Sequence, residues 1–307
     1  MSEAVQLKRK TITGAGDGPH LLITGGVHGN EFEPMAAVRR LMRLIDPTEL
    51  LGRVTLVPVV NEPAFERGER TADDGLDLAR TCPGRPDGSI TERVAHALSE
   101  LIRAADYYID LHTGGTVFRL IPLVGYCLHR NPEVLETQRR MARAFNLPII
   151  WGTTPELDGR SLSVARDAKV PAIYAEWGGG GMCDPLGVSA YVDGCLDVLA
   201  ELNMLDQPQR ERQVEYFVED HRPSSGHLQI CNPSPLDGFY DPLVQLGDQV
   251  EAGEEIGQVS DCLGDTVQKV YTRQSGIVIC LHTFRRVKKG DALAVVLEVD
   301  RPTGAPR

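Results

Sequence analysis

HLLITGGVHGNEFEPMAAVRRLMRLI, residues 20–45, is the stretch from which the fold is read. His20 to Thr24 is an apolar run of strand length. Gly25, Gly26 and Gly29 then mark a turn. From Glu33 to Ile45 the apolar residues return at helical spacing. The same alternation continues outward. VTLVPVV (54–60) reads as a second strand, and Ser89 with Glu92 makes a capping box that opens a helix to about Ala105. YYIDL (107–111) is a strand, Glu133 to Phe145 a helix, Pro148 to Trp151 a short strand, and Ala172 to Ala175 a strand before four glycines. A helix from Pro185 to Leu205 closes the region. Strands alternating with helices predict an α/β domain, here residues 1–207.

Composition changes after that. QPQRERQ (207–213) is polar and linker-like, and from Val214 short β-type runs alternate with Gly, Pro and Asp turns. GFYDPLVQLGDQVEAGEEIGQV (238–259) is cut by turn residues and has no helical period. The expectation is a smaller all-β C-terminal domain, residues 214–307.

The 307 residues carry a formal net charge of −11, with 42% hydrophobic residues. Such a charge repels polyphosphate and argues against nucleic acid as a partner. No apolar stretch reaches the length of a membrane span, and the first ten residues lack the apolar core of a secretory signal. Seven cysteines are scattered without a C-x-x-C pair. A reducing, cytoplasmic compartment is therefore expected.

Three motifs carry the chemistry. GGVHGNE (25–31) puts His28 and Glu31 directly after a strand, His112 follows YYIDL, and Glu176 follows AIYA. In open α/β sheets the carboxyl ends of strands line the ligand crevice. Two histidines and a glutamate form a recurrent catalytic zinc set that leaves a fourth position for water. Zn2+, one per subunit, is the expected cofactor, with Glu176 as the carboxylate that takes and returns the water's proton. Asp110, on the same side of its strand as His112, is either a partner of that histidine or an acid in its own right. Each residue alone has a plain reading: a turn histidine, an acid at a strand end, a loop glutamate. Their shared position at strand ends favours the site.

NEPAFERGERTADDGLDLARTCPG (61–84) is too polar for a regular element and too long for a turn, and long ordered loops are often functional. Arg70 and Arg80 are suited to clamp a carboxylate or face an oxyanion, and Asn61, which opens the loop, is a further candidate substrate contact. The plain alternative pairs these arginines with Asp73, Asp74 and Asp77 at the surface, and for Arg67 that alternative is preferred.

GGVHGNE, NEPAFERGER, DLAR with its following PG, DLHTGG and AEWGGGG, in this order, resemble the succinylglutamate desuccinylase/aspartoacylase family of the zinc carboxypeptidase-like superfamily. The resemblance spans about Leu21 to Leu205. It implies a mixed, mostly parallel central sheet flanked by helices, zinc on His28, Glu31 and His112, and Glu176 as general base and acid. It further implies Arg70 polarising the scissile carbonyl and Arg80 holding the carboxylate of an N-acyl amino acid. The sequence departs from the family at Ala79, where an asparagine is common, and at Ser163, near the position of an acyl-binding arginine. Arg119, Arg160 and Arg166 are candidates by proximity for that missing contact. The C-terminal part also resembles the biotinyl/lipoyl-type β-fold, but Arg273-Gln274-Ser275-Gly276 offers no lysine for a carrier role. Tyr240 in that part is a candidate substrate contact.

The resulting expectation is a zinc-dependent deacylase hydrolysing the amide of a small N-acyl amino acid or N-acyl diamine. The partner is then a small molecule, with a homo-oligomer compatible. The rivals are a zinc carboxypeptidase acting on short peptides and a non-catalytic zinc-containing binding or assembly protein.

Overall fold

The apolar run at 20–24 is the inner part of a nine-residue strand, Gly16–Thr24, in which Leu21, Leu22 and Ile23 are fully buried. Full burial of successive residues requires cover on both faces, as in a parallel sheet between helices. The computed structural model describes residues 5–208, 210–223, 225–228 and 231–299. Its chain divides into two compact units, Met1–Thr116 with Pro122–Ser225, and Val117–Ile121 with Gly226–Arg307.

In chain order the first unit contains β1 (Lys10–Thr13), β2 (Gly16–Thr24), α1 (Phe32–Leu44), β3 (Leu51–Val57), α2 (Glu62–Arg67), α3 (Ile90–Arg103), β4 (Tyr107–Thr113) and most of β5 (Phe118–Cys127). It continues with α4 (Pro132–Phe145), β6 (Ile149–Thr153), α5 (Ser161–Ala168), β7 (Ala172–Gly179), α6 (Pro185–Glu201) and β8 (Tyr216–Glu219). The strand order is β1-β3-β2-β4-β7-β5-β6-β8. β2 runs parallel to β3 and β4, β4 to β7, and β6 to β5 and β8, while β1 is antiparallel to β3. The sheet is thus mixed and mostly parallel.

Alternation along the strands sorts the core into two layers. Leu21, Ile23, Ile109 and Ile173 face α1, α4 and α6 through Val38, Leu41, Phe145 and Val198. Leu22, Tyr108 and Ala172 face α3 and α5 through Val94, Leu98 and Val164. Each fully buried Leu or Ile contributes about 1.5–3 kcal/mol relative to exposure. The capping box is present: the Ser89 amide donates to Glu92 at 2.8 Å, and the Glu92 amide to the Ser89 hydroxyl at 3.4 Å.

The structure differs from the sequence reading at several points, among them β1 and also α2, which forms inside the stretch 61–84 read as too polar for a regular element. β5 is a full ten-residue strand although it contains Pro122. α5 is a separate eight-residue helix. The second predicted strand stops at Val57, because the Val60 and Asn61 amides turn to bond the Gly25 and Gly26 carbonyls. β8, expected with the C-terminal part, pairs with β6 in the first unit. Glu219 accounts for the last of these, accepting from Arg139 Nε and Nη2 at 2.7 and 2.8 Å and from the Tyr126 hydroxyl at 2.6 Å.

The second unit holds β9 (Gly238–Pro242), β10 (Gln249–Val250), β11 (Glu255–Ser260), β12 (Val267–Tyr271), β13 (Gly276–His282), β14 (Arg286–Val287) and β15 (Ala294–Leu297). A four-stranded sheet orders as β12-β11-β9-β14, and β13 pairs with β10, with β15 and with the first residues of β5. Its core gathers Tyr240, Ile256, Val259, Val278 and Leu293. Among the described residues no helix is long and apolar enough to cross a membrane.

The turn after β2 depends on two glycines. Gly26 has φ of +67°, and a Cβ on Gly29 would lie 2.1 Å from the Ala64 carbonyl carbon of α2. Gly29→Ala therefore forces α2 away from the turn and is expected to cost on the order of 1–3 kcal/mol. Denaturant unfolding of the metal-free protein measures this; parent-like stability would mean that the turn yields freely.

Candidate metal centre

β2, β4 and β7 lie side by side and parallel, so their carboxyl ends open on one edge of the sheet. The turn after β2 delivers His28 and Glu31, while β4 carries His112 directly opposite Glu176 of β7. The separate stretches predicted from sequence are thereby brought together. Suitable ligand atoms of His28, Glu31 and His112 all lie within 4.8 Å of one another. Glu31 sits between the rings: Oε1 is 2.6 Å from His28 Nδ1, and Oε2 is 3.2 Å from His112 Nδ1 and accepts from the Thr113 amide at 3.1 Å. Glu31 is also the first residue ahead of α1, where the helix dipole favours negative charge.

Each ring is held from behind by another carboxylate. His112 Nε2 lies 3.1 Å from Asp110 Oδ2, and His28 Nε2 lies 3.1 Å from Asp77 Oδ1. Asp110 is fully buried, and its other bonds come from the Thr24 hydroxyl at 2.8 Å and from the Ser161 hydroxyl. The Tyr108 hydroxyl joins Thr24 at 2.9 Å. Both histidines thus present Nδ1 to a common point while Nε2 donates to an acid, the arrangement that orients metal-binding imidazoles. A tetrahedral ion with bonds of about 2.0–2.1 Å needs ligand atoms about 3.3 Å apart, so this buried two-nitrogen, one-oxygen set fits a zinc-type ion.

Electrostatics agree with that use. Burial would raise the Glu31 carboxyl, but His28 and His112 outweigh it and hold it well below the ordinary range. Burial also opposes charge on His112, yet Asp110 and Glu31 raise it well above its usual 6.5. Asp77 is depressed too, because the His28 and Arg70 bonds overcome its burial. Glu176 goes the other way. Burial pushes its carboxyl up to about 8, against the pull of His112 and Arg70 and with Glu31 adding to the rise. Its Oε2 is buried without a hydrogen-bond partner. An orphaned carboxylate oxygen opposite a metal-type triad is suited to take a proton.

The sequence profile of the succinylglutamate desuccinylase/aspartoacylase catalytic domain matches residues 17–202. The chain belongs to this family. The N-alpha-acetyl-L-2,4-diaminobutyric acid deacetylase of Halomonas elongata is 31% identical over 301 residues, 96% of this chain and 86% of that protein. The product-bound ectoine utilization protein EutE (DoeB) of Ruegeria pomeroyi superposes with a TM-score of 0.86 at 27% identity, covering 95% of this chain and 89% of that one. A succinylglutamate desuccinylase/aspartoacylase of Rhodobacter sphaeroides also gives 0.86, at 28% identity over 97% and 90%.

The family's arginine positions divide in the structure. Arg70 donates through Nε and Nη2 to Asp77 Oδ2 at 3.2 and 2.9 Å, while its Nη1 lies 3.8 Å from Glu31 Oε1. Arg80 stands beside Arg160: the Cys82 amide bonds the Gly159 carbonyl, and a Cβ on Gly159 would sit 2.6 Å from the Arg80 carbonyl oxygen. Burial and the Arg160 charge pull the Arg80 guanidinium down to about 10, so it stays charged at neutral pH. Arg160 is lowered by burial, and Tyr174, Cys127, Asp77 and Glu176 counter this in that order. Arg166, by contrast, is taken up by Asp158 and Asp167 at 2.8 Å each. Arg67 pairs with Glu69 and Asp73 at the surface, as its plain reading has it.

Asn61 has a structural role as well. It is fully buried, caps α2 through the Ala64 amide at 3.3 Å and donates to the Val27 carbonyl at 3.4 Å. Its oxygen thus caps α2 while one of its two N–H groups reaches back to the turn after β2. Arg119 and Tyr240 belong to the second unit: Arg119 is exposed opposite Leu281, and Tyr240 is buried against His282 with its hydroxyl unpartnered. Asp77, Thr24 and Ser161 were not singled out by sequence. For Thr24 a signal existed, since a strand-end hydroxyl in register with Asp110 is implied by aligning β2 with β4.

Metal uptake near neutral pH must displace the proton that Asp110 and Glu31 keep on His112. Acid favours the protonated, metal-free form, so affinity is expected to rise with pH through neutrality. Calorimetric zinc titrations in two buffers of different ionisation enthalpy at pH 7 should report release of about one proton; no release would contradict this reading of His112.

Proposed function

We propose that the chain is a zinc-dependent deacylase that hydrolyses the amide bond of a small N-acyl amino acid, with one zinc ion per subunit. The observation that carries this reading is the unpartnered Glu176 oxygen opposite His112, beside a cluster of three groups able to hold a metal ion. The full-length similarity to a deacetylase of an N-acetylated diamino acid supports the same bond type.

His28, Glu31 and His112 would hold the ion, which when bound acidifies water and polarises a carbonyl. Glu176 accepts the proton of the attacking water on its free oxygen and later delivers it to the leaving amine. The tendency of that site to keep a proton, from burial, suits the second transfer. Arg70, partly exposed and turned toward Glu31, faces the side on which negative charge develops on the carbonyl oxygen. Arg80 and Arg160, adjacent and positively charged, fit a carboxylate of the substrate. Together they offset the asparagine amide that Ala79 lacks. A hydrogen bond to a charged group is worth about 1.5–3 kcal/mol, so a second guanidinium is an adequate replacement.

Glu176→Gln is expected to retain zinc at unit stoichiometry while turnover falls about 10²–10⁴-fold. Elemental analysis with a product assay measures both, and a fully active variant would remove the proposed base. A panel of N-acetyl and N-succinyl amino acids set against dipeptides tests the bond class. Faster cleavage of the dipeptides would favour a carboxypeptidase.

A further inference from the structure

We propose that Asp77 is a positioning residue that joins the metal centre to the arginine facing the scissile carbonyl, so that one carboxylate aligns both. Both halves rest on the function proposed above, the metal half on its zinc ion and the arginine half on its reaction.

The geometry is specific. Asp77 Oδ1 lies 3.1 Å from His28 Nε2 and accepts from the Ala79 amide at 3.0 Å. Oδ2 receives Arg70 through Nε at 3.2 Å and Nη2 at 2.9 Å. The Asp77 carbonyl accepts from the Arg80 amide at 2.9 Å and from the Thr81 hydroxyl at 2.8 Å. One residue therefore touches the ring of a metal ligand, the guanidinium of Arg70 and the short turn that carries Arg80.

Each contact has a consequence. When Nδ1 of His28 serves as ligand, Nε2 must carry the proton. An acid at that nitrogen fixes the tautomer and makes the ring a better donor to the metal. The Arg70 side chain is 36% exposed and would otherwise sample many rotamers. A two-point grip through Nε and Nη2 leaves Nη1 turned toward Glu31 at 3.8 Å and removes the entropy of finding that pose. A surface ion pair would do none of this. Asp73, whose side chain is 85% exposed beside Arg67, is the contrast within the same loop.

The test uses the full chain with D77N, D77A, R70A and the double variant D77N/R70A. Zinc affinity is measured by competition with a chromophoric chelator, and kcat and KM at saturating zinc with the best N-acyl amino acid of the panel above. D77N and D77A should weaken zinc about 10–100-fold, while R70A, which does not touch His28, changes it less than about threefold. R70A should lower kcat about 10²–10³-fold. D77N should lower kcat more than it raises KM, and D77N/R70A should be no slower than R70A, because the two act as one unit. The metal-free D77N protein should melt with the parent, which separates positioning from a general loss of fold; if D77A does not fold, the near-isosteric D77N decides. Wild-type zinc affinity in the D77 variants overturns the metal half. Multiplying losses in the double variant overturn the arginine half. R70A with unchanged kcat overturns the role of Arg70 and that half with it, and the zinc measurement then judges the metal half alone.

Discussion

The buried Glu31 carboxylate is the constraint around which the first unit is arranged. A carboxylate 1% exposed cannot stay charged without partners, and here the partners come from three places. His28 lies three residues back in the same turn, His112 is on the neighbouring strand, and the Thr113 amide belongs to the backbone at the end of β4. Removing any one leaves a charge poorly compensated in a region of low dielectric. The parallel pairing of β2 with β4, set by Leu21 to Thr24 against Tyr107 to Asp110, is what brings them within reach. Packing and site are therefore one problem: a slip of one residue would turn His112 to the opposite face.

From this centre charge is layered outward. The histidines on Glu31 are backed by Asp110 and Asp77, and those acids are satisfied in turn by hydroxyls and by Arg70. Glu176 stands outside the layering, with no hydrogen-bonded cation and a buried oxygen without a donor. Two glutamates on neighbouring elements are thus pushed in opposite directions, Glu31 far down and Glu176 up to about 8. Divergence of this kind separates a group that binds from a group that moves a proton.

Legibility from sequence followed the same physical lines. His28, Glu31, His112 and Glu176 could be read because each stands where an apolar strand run ends, and α/β topology gathers such ends. The alternation of strands and helices was legible from the same pattern, whereas the mixed, mostly parallel sheet was implied by the family resemblance. The structural role of Asn61 was not legible: an amide at the start of a loop reads as available to a ligand, and only the fold shows that it also caps α2 and reaches Val27. β8 was assigned by its neighbours in sequence, but the Arg139–Glu219 pair that draws it to β6 joins residues 80 positions apart. No local pattern announces such a contact. Asp77 was hidden differently, since an acid among arginines reads first as their surface partner.

The Ala79 departure can be weighed against this arrangement. The Ala79 amide is engaged by Asp77 and its methyl packs partly buried against the layer that includes Leu78. An alanine at that position thus leaves the turn and its hold on His28 and Arg70 intact. The neighbouring Arg80, pulled down to about 10 by burial and by the Arg160 charge, remains charged at neutral pH. The argument then runs from charge to selectivity. A crevice that replaces a neutral amide by relying on two adjacent guanidiniums gains attraction for anions and loses the directional amide contact. Discrimination among substrates should accordingly rest more on the number and placement of negative charges than on the shape of a single carboxylate.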